Sequence, residues 1–124
     1  MKIKTSELTG WQLDWAVAVA GPTKHGSPVV RPHNNSDGAT VYRHEGMRQI
    51  GVDFRPSTNW ADGGPIIERE RIACEWSQLW GCWQATDLRD ARFLFPGETP
   101  LVAAMRCYVA SKLGDVIELP EGLS

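Results

Sequence analysis

The side chains best suited to recognising a ligand lie in one short segment, residues 55–65. Arg55 can present a planar fork to a phosphate or carboxylate, and Trp60 offers a flat face on which a base or ring can stack. Three short hydrogen-bonding side chains stand between them, and two adjacent glycines that follow can expose backbone N–H groups to an anion. This combination predicts a binding loop for a small polar, nucleotide-like ligand. The candidate ligand-binding residues are Arg55, Ser57, Thr58, Asn59, Trp60, Gly63 and Gly64.

The same segment also has an ordinary structural interpretation. Trp60 could fill the core, where Trp residues are highly buried on average. The short polar side chains before it could satisfy the backbone of their own turn. Whether Trp60 faces a pocket or the core decides between the two interpretations.

Two neighbouring glutamates are the residues whose spacing best suits catalysis. On a strand, Glu68 and Glu70 would share a face and could act as paired carboxylates. Arg69 and Arg71 alternate with them, which favours a salt-bridged, solvated strand instead. The sequence has no nucleophile elbow and no glycine-rich phosphate or dinucleotide fingerprint. We therefore expect no catalytic residues and a protein that is not an enzyme.

Composition and charge narrow the class of protein. At 124 residues the chain is expected to be one domain, residues 1–124. The net charge is −2 and no basic run occurs, which disfavours a duplex nucleic-acid binder. No apolar run could span a bilayer, and no apolar signal core follows residues 1–7. The three histidines and three cysteines lack metal-ligand spacing, so we expect no metal, no cofactor, and reduced thiols in the cytoplasm.

Two helices are expected, one near each end of the chain. The first covers residues 8–20, with Thr9 as its N-cap and a Gly-Pro pair as its stop. The second covers residues 101–113, after Thr99–Pro100 as N-cap and first helical position, and Gly114 ends it. In the predicted order, the two helices stand before and after a middle part of the chain that is rich in strands.

Short strands are expected between the helices. Residues 39–43 and 49–54 alternate with period two and suggest a hairpin. We expect another strand to begin at Ile66, because Pro65 suits a strand's first residue. The other expected pieces are a long loop over 21–38, an extended stretch over 75–83, and short strands at 1–4 and 116–119. The predicted fold class is α+β, a small antiparallel sheet of short strands packed by an N-terminal and a C-terminal helix.

Six Trp residues are many for so small a chain. They could serve the core, an oligomer interface or a ligand cage. The first helix has little polar surface, so it should pack on both sides or partly against another chain. We therefore interpret the Trp residues as core plus interface and expect a homo-oligomer.

Three ordered blocks of the sequence form a recognisable set. They are residues 1–10 with 13–18, the Pro-Ser-Thr-Asn-Trp-Ala-Asp-Gly-Gly-Pro-Ile-Ile-Glu-Arg-Glu block at 56–70, and the helix at 99–114. Together these blocks resemble the NinX family of small tailed-phage proteins. The resemblance implies a phage or prophage accessory protein of unknown activity in the bacterial host cytoplasm. It carries over no catalytic or binding residue, and residues 21–38 and 74–94 match the family least.

Two main hypotheses follow for function. The first is a non-enzymatic binding protein that sequesters a small polar ligand, with nucleotide-derived host-defence signals as one such class. The alternative is a protein-interaction module that binds and inhibits a host or phage protein. An enzyme acting on a nucleotide or peptide is a third hypothesis, and it depends on the Glu68 and Glu70 pair alone.

Overall fold

The computed structural model describes residues 2–21, 29–32, 39–45, 48–88 and 90–119. Over these residues the chain forms three α-helices and eight β-strands. The helices are α1 (Gly10–Ala20), α2 (Trp60–Glu70) and α3 (Pro100–Leu113). The strands are β1 (Lys2–Lys4), β2 (Val29–Pro32), β3 (Ala39–Glu45), β4 (Arg48–Phe54), β5 (Ile72–Ser77), β6 (Cys82–Asp87), β7 (Asp90–Gly97) and β8 (Val116–Glu118). This mixture confirms the predicted small α+β fold.

The strands pair in antiparallel fashion and, among the described residues, form three sheets. One contains β2, β3 and β4, and another contains β5, β6 and β7. The third joins β1 to β8, with Ile3 opposite Ile117. The predicted hairpin is confirmed as β3 and β4. Of the predicted loop at 21–38, Gly21 and β2 are described, and the rest lies outside the described residues.

Helix α3 lies at the centre of the core. Its residues 103–109 are all buried, because α1 packs against it on one side and the β5–β7 sheet on another. Leu13 and Val17 supply buried apolar surface from α1. Packing from several directions makes interior residues even of Arg106 and Tyr108, whose side chains have polar ends.

The ends of α3 follow the sequence signals. The Thr99 hydroxyl oxygen accepts a hydrogen bond from the Val102 N–H at 3.1 Å, and Pro100 opens the helix. Gly114 ends it at φ 93°, a left-handed value that favours glycine, and its N–H donates to Ala110 at 3.0 Å. Thr9 stands at the N-cap position of α1 as predicted, but its side chain makes no capping hydrogen bond.

The predicted loop up to Pro65 and strand from Ile66 are wrong, because residues 60–70 form helix α2. The Asn59 side chain caps this helix by accepting from the Ala61 N–H at 2.9 Å. Asp62, in the first turn, accepts from the Arg55 N–H at 2.9 Å. Capping and packing therefore outweigh an internal proline, which costs a helix one backbone hydrogen bond.

Helix α2 also removes the paired-carboxylate geometry. Glu68 and Glu70 are two residues apart, so they point to different sides of a helix. Glu68 is exposed, whereas Glu70 is buried and forms ion pairs with Lys112 at 3.0 Å and Arg69 at 3.1 Å. The interpretation of these glutamates as two neighbours on one charged strand is therefore wrong.

The predicted extended stretch at residues 75–83 is confirmed as the facing ends of β5 and β6, joined by a turn that ends at Gly81. Trp76 and Trp83 lie opposite each other, with ring centroids 5.8 Å apart. Trp83 packs against the core, while Trp76 and Trp80 are exposed. The hairpin thus carries apolar side chains beyond the covered part of its sheet.

Candidate functional site

An open cleft of about 780 Å³ lies where the first turns of α1, α2 and α3 meet. All three helices are long enough to have a substantial dipole, so their starts carry partial positive charge. Side chains cap the starts of α2 and α3, whereas the start of α1 has no side-chain cap. The cleft is lined by Thr9, Gly10 and Gln12 at α1, by Ser57, Thr58 and Trp60 at α2, and by residues 98–102 and Arg106 at α3.

Ser57 is the buried hydroxyl of this cleft. Its side chain is 2% exposed, and its Oγ has no hydrogen-bonding partner among the described residues. Its backbone N–H donates to Oδ1 of the fully buried Asp14 at 2.9 Å, which ties the segment before α2 to α1. A buried polar atom without a partner is costly. Ser57 therefore places an unsatisfied hydroxyl at the wall of the cleft.

Arg106 is the buried cation of the cleft, at 9% exposure. Its Nε–H donates to the Leu8 carbonyl at 2.8 Å, and Nη1 donates to the Pro96 carbonyl at 2.8 Å. Burial lowers the pKa of Arg106, and the negative charge of Glu98 raises it again. Arginine nevertheless keeps its charge in proteins, so the cleft wall carries a fixed positive charge.

Trp60 stands at the first position of α2 and is 57% exposed. It lines the cleft, so the interpretation in which Trp60 fills the core is wrong. A capped helix start holds its backbone, while the ring remains accessible. Trp60 can therefore stack on a flat group without first leaving a packed interior.

Three of the seven predicted ligand residues line the cleft, namely Ser57, Thr58 and Trp60. The other four do not, and they have structural contacts around α2. The Arg55 carbonyl accepts hydrogen bonds from the N–H groups of Thr58 and Asn59, and the Arg55 N–H donates to Asp62. The Asn59 side chain caps helix α2. Glycines 63 and 64 are helical rather than an exposed N–H nest, and the Gly63 N–H already donates to Asn59 at 2.9 Å.

Gly63 is needed for close packing. A Cβ built on it would overlap the Pro56 carbonyl oxygen and lie 2.7 Å from Leu101 Cδ2. A Cβ on Gly64 would be 3.9 Å from Trp60, an ordinary contact. The first glycine therefore lets α2 approach the cleft wall, and the second has no such role.

Sequence reasoning missed Arg106, Glu98 and the α1 residues of the cleft. Arg106 did carry a signal, because it is the one charged residue in an otherwise apolar or aromatic run at 103–109. A charge within a buried helical segment is rarely fully buried unless paired. The α1 residues carry no local signal, since only the tertiary fold brings the helix starts together.

Metal and thiol chemistry have little support in the described part of the chain. Those residues contain no group of His, Cys, Asp and Glu side chains that could hold a metal ion. Cys74, Cys82 and Cys107, all of them described, form no disulfide bond, and burial raises the pKa of Cys74. The described helices include none with the length and apolar character needed to cross a bilayer.

A family model described as bacteriophage P22 NinX matches residues 4–112. The chain belongs to this NinX family. The match covers nearly the whole chain and confirms the resemblance seen in its three blocks. No curated protein is significantly similar to the chain. Family membership makes it a phage accessory protein, of unknown activity, and the cleft and its charges come from this chain's own geometry.

Proposed function

We propose that the protein is a non-enzymatic phage binding protein that sequesters a small polar, nucleotide-like ligand in the cleft at the three helix starts. Nucleotide-derived signals of host defence are one class that fits. The observation that carries the proposal is the Ser57 hydroxyl, buried and unpartnered in the described structure, on the wall of a cleft that also exposes Trp60.

The cleft combines features typical of ligand sites. Its volume of about 780 Å³ falls within the range of small-molecule pockets, roughly 300–1,000 Å³. Trp60 offers a stacking face, and Ser57 and Thr58 offer hydroxyl groups. Binding without reaction is the simpler function, because the Glu68 and Glu70 pair does not form.

Thermal-shift measurements with nucleotide and cyclic-nucleotide panels test the proposal. A ligand at about 100 times its Kd should stabilise the protein by about 2.7 kcal/mol. Trp60→Ala should weaken binding by about 1–3 kcal/mol, the usual worth of one stacked base. Trp80→Ala is the matched control, since it removes an exposed Trp that lies outside the cleft.

Two results would contradict the proposal. One is a panel in which every compound leaves the wild-type melting temperature unchanged. The other is equal loss of binding in the Trp60→Ala and Trp80→Ala variants, which would place the ligand elsewhere.

The second candidate function, an interaction module that inhibits a host or phage protein, is favoured by the β5–β6 hairpin. Leu79 is 85% exposed and Trp80 is 72% exposed at its turn, with Trp76 beside them. Exposed aromatic and apolar clusters mark protein interfaces. The apolar residues Leu13 and Val17 of α1 serve the core, so the hairpin is also the better candidate surface for the proposed homo-oligomer.

A host-lysate pull-down and sedimentation analysis test this second candidate. Trp80→Ala should abolish capture of a specific partner or self-association, and Trp60→Ala should retain both. Recovery of nothing beyond the monomeric protein would count against the interaction module.

A further inference from the structure

Arg106 presents hydrogen-bond donors that the fold does not use. An arginine side chain has five N–H donors. Two of them are bound to the carbonyls of Leu8 and Pro96, which fix the plane of the guanidinium. Nη2 makes no hydrogen bond to any described residue. A rigid, nine-tenths buried cation therefore lines the cleft with donors to spare.

The groups that hold Arg106 are neutral. Both of its acceptors are backbone carbonyls, and no carboxylate of the described residues forms an ion pair with it. Glu98 acts on Arg106 only as a nearby charge, and it is exposed at the cleft. Buried charges are normally paired. The wall therefore has a positive charge whose natural complement is an anion from solution.

The backbone adds to the same field. The start of α1 lines the cleft beside Arg106, and Thr9 gives that helix no side-chain cap. The start of α3 also lines it, with Pro100 and Leu101 on the wall. Both helix starts attract anions through their dipoles, and the uncapped start of α1 can also offer backbone N–H groups. The buried Ser57 hydroxyl gives a further donor that no described residue engages.

From these contacts we infer that the end of the cleft formed by Arg106, Ser57 and the starts of α1 and α3 binds the phosphate group of a phosphorylated ligand. This inference rests on the proposed function and narrows it. The ligand class is a nucleoside phosphate, with its phosphate at Arg106 and its ring on Trp60. Arginine suits phosphate because its planar fork matches the oxygens. The negative charge of Glu98 at the rim of the cleft then repels the phosphate and weakens its binding.

The decisive experiment compares matched probes on the intact 124-residue chain. The probes are ribonucleoside 5′-monophosphates, the corresponding nucleosides, and inorganic phosphate, titrated by calorimetry and by amide chemical shifts. Monophosphates should bind at least roughly tenfold more tightly than nucleosides, in line with a charge-assisted hydrogen bond. The Ser57 amide and Arg106 Nε–H signals should move with inorganic phosphate alone.

Charge variants keep the test independent of folding. Glu98→Gln removes an exposed negative charge at the cleft and should tighten monophosphate and phosphate binding by roughly three- to tenfold. It should leave nucleoside binding unchanged. Glu75→Gln makes the same change at an exposed strand position outside the cleft and should alter the affinity for none of the three probes. Arg106→Lys should reduce the monophosphate preference, because lysine keeps the charge but lacks the planar fork of arginine.

The outcomes separate this inference from the proposed function. Equal affinity for nucleosides and monophosphates, with no effect of Glu98→Gln, overturns the phosphate site and leaves a ligand cleft intact. Monophosphate binding that is insensitive to Trp60→Ala supports the phosphate site and overturns the nucleotide-like ligand. Failure of every probe at millimolar concentration, in wild type and in Glu98→Gln, overturns both.

Discussion

The backbone N–H of Ser57 donates to the carboxylate of Asp14 at 2.9 Å, and both residues are buried. This hydrogen bond joins α1 to the segment that leads into α2, across 43 positions of sequence. A charged acceptor makes such a bond stronger than one between neutral groups. It sets the separation of two of the three helix starts that form the cleft.

Asp14→Ala should destabilise the protein by about 2–3 kcal/mol, because it leaves the buried Ser57 N–H without its acceptor. Asp14→Asn keeps an oxygen at the same place and should cost less. Urea denaturation of both variants measures the difference. Equal stability of Asp14→Ala and wild type would show that the hydrogen bond does not hold the cleft together.

The two glycines of α2 should respond to alanine in opposite ways. Gly63→Ala forces a Cβ onto the Pro56 carbonyl and Leu101, so it should cost about 1–3 kcal/mol. Gly64→Ala meets ordinary contact only and should gain up to about 1 kcal/mol from helix propensity. Melting temperatures of the pair give the readout. A stabilising Gly63→Ala would refute the close approach of α2 to its neighbours.

Two of the three helices were predictable because their ends are marked locally. Thr99, Pro100 and Gly114 bracket α3, and each takes the role that its chemistry suggests. Helix α2 was not predictable, since Pro65 and two glycines disfavour a helix by local propensity. The Asn59 cap and the tight packing of Gly63 outweigh that preference, and packing is not visible in local sequence.

The candidate site was predictable only in part. Ser57, Thr58 and Trp60 stood out because short polar groups beside an aromatic ring are unusual in a connector. Arg106 did not stand out within the predicted C-terminal helix, where it is buried but lines the cleft. The convergence of three helix starts arises from tertiary contacts that no local pattern encodes.

Stability should fall at alkaline pH through Tyr108. Burial raises the pKa of this phenol, the positive charge of Arg69 lowers it, and the Glu70 carboxylate raises it. The pKa of Tyr108 in the folded protein lies above the unfolded value of about 10. Its contribution to the free energy of unfolding is therefore complete below about pH 10 and is lost as the pH rises through the folded pKa. Tyr108→Phe should flatten the stability profile above about pH 10.

Unfolding free energies measured from pH 8 upwards check the Tyr108 prediction. The pKa of Cys74 is also raised by burial, so the comparison belongs in a Cys74→Ala background. In that background the plots of unfolding free energy against pH for Tyr108→Phe and its parent should differ in slope only above about pH 10. Parallel profiles throughout would show that Tyr108 ionisation is not linked to folding.

Ser57→Ala should separate stability from binding. In the free protein it removes a buried hydroxyl that has no described partner, so it should stabilise the fold by about 1 kcal/mol. In the ligand complex it removes a donor, so the same variant should bind phosphate and monophosphates more weakly.

Ser111→Ala is the control, because that exposed hydroxyl donates to the Tyr108 carbonyl and its loss should change stability by no more than about 0.5 kcal/mol. Urea denaturation of the free proteins measures the change in stability, and calorimetry measures the affinity for phosphate and monophosphates. A Ser57→Ala variant that is less stable than wild type and binds equally well would mean that the hydroxyl serves the fold and not a ligand.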